Sequence, residues 1–257
     1  MDFGRDGQGS TALLWDDGRV VAIDKPPGVS LATPRREPGA AVARLLGALP
    51  PDVRQGHGLE PDGLFLVHRL DVGTSGLVLL ARDEDAHRTC SRLLAEGRLK
   101  RVYLTLCWGR PSPAEGRFDL SLGPDRRDRR RMRPDPDGRP ARTRYRVLAR
   151  APHVSLAVLF PETGRTHQIR VHLAAAGHPV VGDDLYGGPR HRGVRDSRLR
   201  AALDPGHTLL HAWRLHLPTT RCFDETILEA PPPATFRAAC TAAGIALEDT
   251  IHTPERS

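Results

Sequence analysis

Short apolar runs typical of β-strands recur along almost the whole chain. In Val154–Phe160, for example, large apolar residues alternate with the small residues Ser155 and Ala157, as expected for a strand that buries one face. The tripeptide at residues 16–18, Asp-Asp-Gly, lies between two such runs and indicates a hairpin turn. The other predicted strands are Arg19–Asp24, Leu64–His68, Gly76–Arg82, Val102–Trp108, Thr143–Leu148, Leu209–Leu217 and Thr226–Glu229.

Helical patterns are fewer, and they do not alternate regularly with the strands as they do in parallel β/α folds. We therefore predict an α+β fold, a single domain on a mixed, largely antiparallel β-sheet with peripheral helices. The domain is expected to span residues 11–243, between a flexible N-terminus (1–10) and a C-terminal tail (244–257). The predicted helices are Ala40–Leu49, Glu84–Arg98, Thr166–Ala176 and Ala234–Ala243.

The charge of the chain indicates a polyanionic partner. The formal net charge is +7 and the isoelectric point is about 9.9, which is typical of proteins that bind nucleic acids. All but two of the 38 basic residues are arginine, and Lys25 and Lys100 are the exceptions. This bias has two explanations: a GC-rich genome, or selection for guanidinium groups that bind phosphate bidentately and stack on bases.

Two arginine-bearing segments are predicted to be surface loops because glycine, proline and charged residues dominate them. They are Asp125–Pro140 and Gly187–Gly206. The first segment is a candidate phosphate-binding loop, although a solvated charged loop would have the same composition. Its candidate phosphate contacts are Arg126, Arg127, Arg129, Arg130 and Arg131.

Several functional classes find no support in the sequence. No apolar run reaches the roughly 18 residues that a membrane-spanning helix needs, and the N-terminus does not resemble a signal peptide. The four cysteines form no CxxC pair, which argues against a disulfide framework and favours the cytoplasm. Motifs for nucleotide cofactors, zinc proteases and serine hydrolases are missing. His167 and His172 do not share a helix face, so we expect no metal site. The missing motifs and the lack of a long apolar run predict that the protein has no cofactor and no membrane partner.

Three polar segments could carry chemistry. The first, His68–Gly76, joins two predicted strands through a tight turn that contains a carboxylate beside an arginine. The second, Pro161–His172, places Arg165 close to the start of a helix, where backbone N–H groups attract anions. The third, Arg101–Tyr103, places Tyr103 near the start of a predicted strand. Each also has a structural interpretation: an Arg–Asp ion pair, a surface arginine and a half-buried sheet tyrosine.

Together, these segments resemble the RluA-type family of RNA pseudouridine synthases in order and spacing. The resemblance covers roughly residues 11–232, and the sequences HRLDVGTSG and GRTHQIRVH are its most specific parts. The departures are arginine at positions 101 and 139, where the family often has lysine, and an atypical Ser30–Pro34. The matching segments are Asp24–Gly28, His68–Gly76, Arg101–Leu104, Trp108–Gly109, Gly138–Thr143, Thr163–Gly187 and Leu209–Ala212.

The resemblance implies a catalytic domain with a central RNA-binding cleft and assigns a role to individual residues. Asp71 would be the catalytic carboxylate, Tyr103 the active-site tyrosine and Arg165 the arginine that pairs with Asp71. Arg69 would fill the place of the extruded base. The residues expected to contact RNA or the base are His68, Arg69, Thr74, Arg101, His167, Gln168, Arg170 and Leu210.

The implied activity is the isomerisation of specific uridines in rRNA or tRNA without a cofactor, by a cytoplasmic, monomeric enzyme. Asp71 could attack C1′ of the ribose, attack C6 of the base, or stabilise an oxocarbenium-like state and abstract a ribose proton; the sequence leaves these open. Because only about ten residues precede the first predicted strand, we expect no N-terminal accessory RNA-binding domain and a compact substrate such as a tRNA arm or an rRNA hairpin loop. Two alternatives are a non-catalytic RNA-binding or ribosome-assembly factor on the same fold, and a metal-dependent nuclease or hydrolase.

Overall fold

The structure is a computed structural model that describes residues 11–33, 36–37 and 39–251. The chain divides into two compact units. Unit 1 contains Met1–Arg101 and Ala212–Ala234, and unit 2 contains Val102–His211 and Thr235–Ser257. The expected flexible N-terminus (1–10) and residues 252–257 of the expected C-terminal tail lie outside the described residues.

Strands outnumber long helices in both units. In chain order the elements are β1 (Ala12–Asp16), β2 (Val20–Lys25), α1 (Ala40–Gly47), α2 (Pro51–Gly56), β3 (Phe65–Leu66), β4 (Ser75–Ala81), α3 (Glu84–Ala95), β5 (Lys100–Trp108), β6 (Glu115–Pro124), β7 (Met132–Pro134), β8 (Arg139–Arg150), β9 (Val154–Pro161), α4 (Gln168–Ala175), a 3₁₀ turn (Arg190–Gly193), α5 (Ser197–Ala202), β10 (Leu210–Leu217), β11 (Thr226–Glu229), α6 (Ala234–Ala242) and α7 (Leu247–Ile251).

In unit 1, strand β4 is the centre of the sheet, because all seven of its residues are buried. It lies between β2 and β10, with β1 beyond β2, β11 beside β10 and the two-residue β3 also paired to β4. The antiparallel register of β2 and β4 pairs Lys25 with Gly76. Helix α3 begins at the N-cap Asp83, whose carboxylate accepts the Ala86 N–H at 2.8 Å, and packs Cys90 against the same core.

In unit 2, the strands follow the order β5-β9-β8-β6-β7, and every pair is antiparallel. The register aligns Tyr103 of β5 with Leu159 of β9, which in turn aligns with Tyr145 of β8. Helix α4 is fixed to β8 through the Thr143 hydroxyl, which lies 2.9 Å from Gln168 Nε2 and 3.0 Å from His172 Nδ1. These bonds place the start of α4 beside the end of β9.

The prediction of an α+β fold with a largely antiparallel sheet is confirmed. The prediction that Asp125–Pro140 is a loop throughout is wrong, because β7 pairs with β6 through Leu122 and Pro134 and so makes the segment a hairpin. Strand β3 is shorter than predicted for a visible reason. The Leu79 N–H, which would continue the ladder, donates to His68 Nε2 at 3.2 Å instead.

Candidate active site

The loop between β3 and β4 carries the candidate carboxylate, Asp71, in unit 1. The Asp71 carbonyl accepts the Thr74 N–H at 3.1 Å, which closes a tight turn just before β4. Asp71 is half-buried and Arg69 is exposed. Gly76 allows the strand to follow this turn directly: its φ is +105°, and a Cβ there would lie 2.2 Å from the Ala212 carbonyl oxygen. The backbone on the C-terminal side of Asp71 is therefore held by close packing.

A buried lysine fixes the same loop from the other side. Lys25 has no exposed surface, and its Nζ donates to the carbonyl oxygens of Pro26 at 2.8 Å, Val29 at 3.1 Å and Val72 at 3.3 Å. The Val72 carbonyl also accepts the Gly28 N–H at 2.7 Å. The residue after Asp71 is thus bound by two donors from the end of β2. Lys25 was not predicted to belong to the site, although a lysine in so arginine-rich a chain was a usable signal.

Burial strongly perturbs the titratable groups around this loop. Burial lowers the pKa of Lys25 to about 8, against the opposing negative charges of Asp71 and Asp24. Burial also raises the pKa of Asp24 to about 7, although the charge of Lys25 acts in the other direction. The pKa of His68 falls to about 3 because of burial and the positive charge of Arg101. His68 is therefore neutral at physiological pH, and it accepts a backbone hydrogen bond at Nε2.

Thr74 is the most deeply buried of the predicted RNA-contacting residues in unit 1, at 2% exposure. Its Oγ1 makes no hydrogen bond within the described part of the chain. Burying a hydroxyl without a partner costs roughly 1–3 kcal/mol. Arg101, also in unit 1, is half-buried.

In unit 2, Tyr103 lies near the start of β5 and is buried, with 8% of its surface exposed. Leu210, the first residue of β10, is buried at 4% exposure. Both residues were predicted to contact the base or to act on it.

The turn before α4 is organised by Gln168. Its Oε1 accepts the Thr163 hydroxyl at 2.7 Å and the Arg165 N–H at 3.0 Å. Its Nε2 donates to the Arg142 carbonyl and the Thr143 hydroxyl, both at 2.9 Å. Gln168 is buried and makes four hydrogen bonds, so its contribution inside the protein is to fix this turn.

His167 adopts a left-handed backbone conformation with φ of +54°, which no other non-glycine residue in the described ranges does. Such a conformation is strained for a residue with a Cβ and persists only where its surroundings hold it. The His167 Nδ1 atom lies 2.8 Å from the Tyr186 hydroxyl, which supplies part of that constraint.

Arg165, just before α4, and Arg170, within α4, differ in their surroundings. Arg165 is half-buried, and its Nε donates to the Pro140 carbonyl at 3.0 Å; within unit 2 it forms no ion pair with a described residue. Arg170 is buried at 8% exposure and binds Asp183 through Nε at 2.8 Å and Nη2 at 2.9 Å. The Asp183 carboxylate also accepts the Leu185 N–H at 3.2 Å. Such bidentate pairs fix the plane of the guanidinium.

The arginines of Asp125–Arg131, the segment that we call the arginine turn, are not equivalent. Arg126, Arg127 and Arg129 are exposed, and none of them makes a side-chain ion pair within the described residues. Arg130 is neutralised by Asp128, with Nη2–Oδ2 and Nε–Oδ1 distances of 2.8 and 3.0 Å. The turn is closed by the Asp125 N–H, which donates to the Arg131 carbonyl at 2.9 Å.

Within the described residues, no group of three or more histidine, cysteine, aspartate or glutamate side chains could hold a metal ion. The helices in the same ranges are all too short or too polar to cross a membrane.

Comparison with known proteins identifies the family. A family model described as RNA pseudouridylate synthase matches residues 19–175, which include Asp71, Tyr103, Arg165 and Arg170. The chain belongs to this family. It is 41% identical over 211 residues to an uncharacterized RNA pseudouridine synthase of Chloroflexus aurantiacus, covering 82% of this chain and 62% of that protein. To the dual-specificity RNA pseudouridine synthase RluA of Salmonella typhi it is 36% identical, covering 69% and 77% respectively.

Solved structures agree with this assignment. The human RNA pseudouridylate synthase domain containing 4 superposes with a TM-score of 0.69 at 26% identity, covering 90% of this chain and 92% of that chain. The RNA pseudouridylate synthases are isomerases, and their RNA substrates agree with the basic charge of this chain. The chain spans less than two thirds of the length of the Chloroflexus relative.

Proposed function

We propose that this RNA pseudouridylate synthase isomerises uridines in structured RNA, with Asp71 as its catalytic carboxylate. The observation that carries the proposal is the construction of the Asp71 loop. Its carboxylate is half-buried beside a fully buried ammonium group, and the following peptide is bound by Lys25 and Gly28. A carboxylate held in this way stays oriented without being sequestered from substrate, as a reacting group requires.

The proposed reaction is a rearrangement of one nucleotide. The N1–C1′ bond breaks, the detached uracil rotates, and a C5–C1′ bond forms; C5 loses a proton and N1 gains one. The product is an isomer of the substrate, so the reaction needs no oxidant, reductant or phosphoryl donor and therefore no cofactor. Asp71 must be ionised to attack C1′ or C6, or to stabilise an oxocarbenium-like state and abstract a ribose proton.

A guanidinium from the segment before and within α4 is proposed to keep Asp71 ionised during the reaction. The sequence predicts Arg165 for this role. Arg170 is already bound bidentately by Asp183, whereas Arg165 forms no ion pair with a described residue of unit 2. The variant Arg165→Gln tests this role: removing the positive charge should raise the pKa of the catalytic carboxyl, so the acidic limb of the kcat profile should move to higher pH.

Tyr103 and Arg69 are proposed to handle the base. Tyr103 would stack on the uracil and serve as acid or base when C5 loses its proton. Arg69, exposed and two residues from Asp71, would insert its planar guanidinium into the gap that the flipped nucleotide leaves. Flipping costs a few kcal/mol, and the stacked arginine offsets part of that cost.

The proposed substrate is an rRNA or tRNA segment that the enzyme binds as a monomer in the cytoplasm. The function is tested by incubating the purified protein with RNA that carries tritium at C5 of uridine, since pseudouridine formation releases this hydrogen to water. Release of tritium supports the proposal. RNA binding without release supports a non-catalytic RNA-binding factor instead, and release of nucleotide fragments supports a nuclease. Pseudouridine mapping in a deletion strain and its parent then identifies the target position.

A further inference from the structure

Tyr186 connects two parts of unit 2 that are remote in sequence: the arginine turn and the segment that leads into α4. Its hydroxyl accepts the Met132 N–H at 2.7 Å, at the first residue of β7 and directly after the arginine turn. The same hydroxyl lies 2.8 Å from Nδ1 of His167, the N-cap residue of α4. One oxygen atom therefore joins the end of the turn to the start of the helix.

The ring of Tyr186 reinforces this connection. The guanidinium of Arg131, the last residue of the turn, lies over the ring at 5.2 Å from its centroid, and that of Arg170 at 5.1 Å. Two cations can share one ring because Asp183 neutralises Arg170. The ring also packs on a small core cluster that includes Leu122 of β6.

We propose that Tyr186 is a positioning residue that fixes the arginine turn on the start of α4, so that an RNA phosphate bound by the turn is held at a constant position relative to Arg165 and Arg170. This inference rests on the proposed function and adds to it a defined link between RNA binding and the catalytic segment. The strained backbone of His167 agrees with such a link, because its conformation has to be held by surrounding groups.

The variant Tyr186→Phe keeps the ring between its neighbours and removes the hydroxyl. A net hydrogen bond contributes about 1 kcal/mol, a factor of about five, so losing one or both contacts should reduce kcat/KM on structured RNA by about five- to thirtyfold. Tyr145→Phe is a matched control. Tyr145 lies in β8 of the same unit, and its hydroxyl donates to the Pro113 carbonyl at 3.3 Å, a contact outside the arginine turn. It should leave kcat/KM within about twofold of wild type.

A double-mutant cycle tests the link itself. The second change replaces with glutamine the three arginines of the turn that form no ion pair with any described residue: Arg126, Arg127 and Arg129. If Tyr186 acts through the turn, Tyr186→Phe should change kcat/KM and RNA affinity less than about twofold in this background. An equal loss of about five- to thirtyfold in both backgrounds would overturn the inference. A wild-type enzyme that binds RNA but releases no tritium would contradict the proposed function, while the cycle on affinity would still test the link.

Hydrogen exchange at the Met132 amide gives a readout that needs no RNA. This N–H donates to Tyr186 in the folded protein, so Tyr186→Phe should accelerate its exchange by about tenfold while the amides of β9 keep their protection. Unchanged exchange at Met132 would contradict the link. Equal acceleration throughout unit 2 would instead show general destabilisation and would also overturn a specific positioning role.

Discussion

The arginine turn offers a prediction whose size follows from the structure. Arg126, Arg127 and Arg129 are exposed and make no ion pair among the described residues, so all three are available to bind phosphates. Each phosphate contact contributes about 0.7–0.9 to the slope of log affinity against log salt. Replacing these three arginines with glutamine should therefore make the slope shallower by about 2–3. Arg130, already paired with Asp128, should contribute much less.

The assay is a titration of labelled hairpin RNA with wild type and variant at several salt concentrations. Between 50 and 200 mM salt, the ratio of wild-type affinity to variant affinity should fall by about 20- to 40-fold. Salt weakens the phosphate contacts of the wild type, and the variant does not make these contacts. Arg130→Gln is the matched control and should leave the slope nearly unchanged. Equal slopes for wild type and the triple variant would refute the reasoning and identify the turn as a solvated hairpin whose arginines reflect genome composition.

Three further outcomes are expected. Purified enzyme should remain active in excess EDTA on pre-folded RNA, and strict dependence on a divalent ion would contradict the metal-free mechanism. Arg69→Ala should lose turnover on structured RNA and recover part of it when the target uridine is unpaired; equal losses on both RNAs would argue against base flipping. Burial lowers the pKa of His172 to about 4, so the unfolded state binds more protons between pH 6.5 and 4. The unfolding free energy should fall over this range as the pH decreases, by up to about 3 kcal/mol more in wild type than in His172→Gln, and parallel denaturation curves would contradict this.

The strand pattern of the sheet was predictable because alternation is a local property. The run Val154–Phe160 shows it clearly, and β9 occupies Val154–Pro161. Strand β6 was not predicted, although Phe118, Leu120 and Leu122 alternate with polar residues and offered a usable signal. Strand β7 has no such pattern: its three residues become a strand only through pairing with β6.

In the candidate site too, some residues could be predicted from nearby sequence and others depend on contacts between distant parts of the chain. Motif resemblance picks out Asp71 and the segment around Gln168, because their neighbours in sequence are also their neighbours in space. One of the three carbonyl groups that accept a hydrogen bond from Lys25 belongs to Val72, which is 47 residues away in sequence. The bond from Met132 to Tyr186 spans 54 residues. No local pattern predicts such contacts.

The central claim concerns Asp71 and is tested most directly by Asp71→Asn. This substitution keeps the size of the side chain and removes the charge that the proposed mechanism requires. We expect folding and RNA affinity close to wild type, because the backbone contacts of Val72 and Thr74 hold the loop. Tritium release from C5-labelled RNA should fall by more than about a hundredfold, equivalent to about 2.7 kcal/mol of lost transition-state stabilisation. A purified, folded variant that retains more than about a hundredth of wild-type turnover would contradict the account.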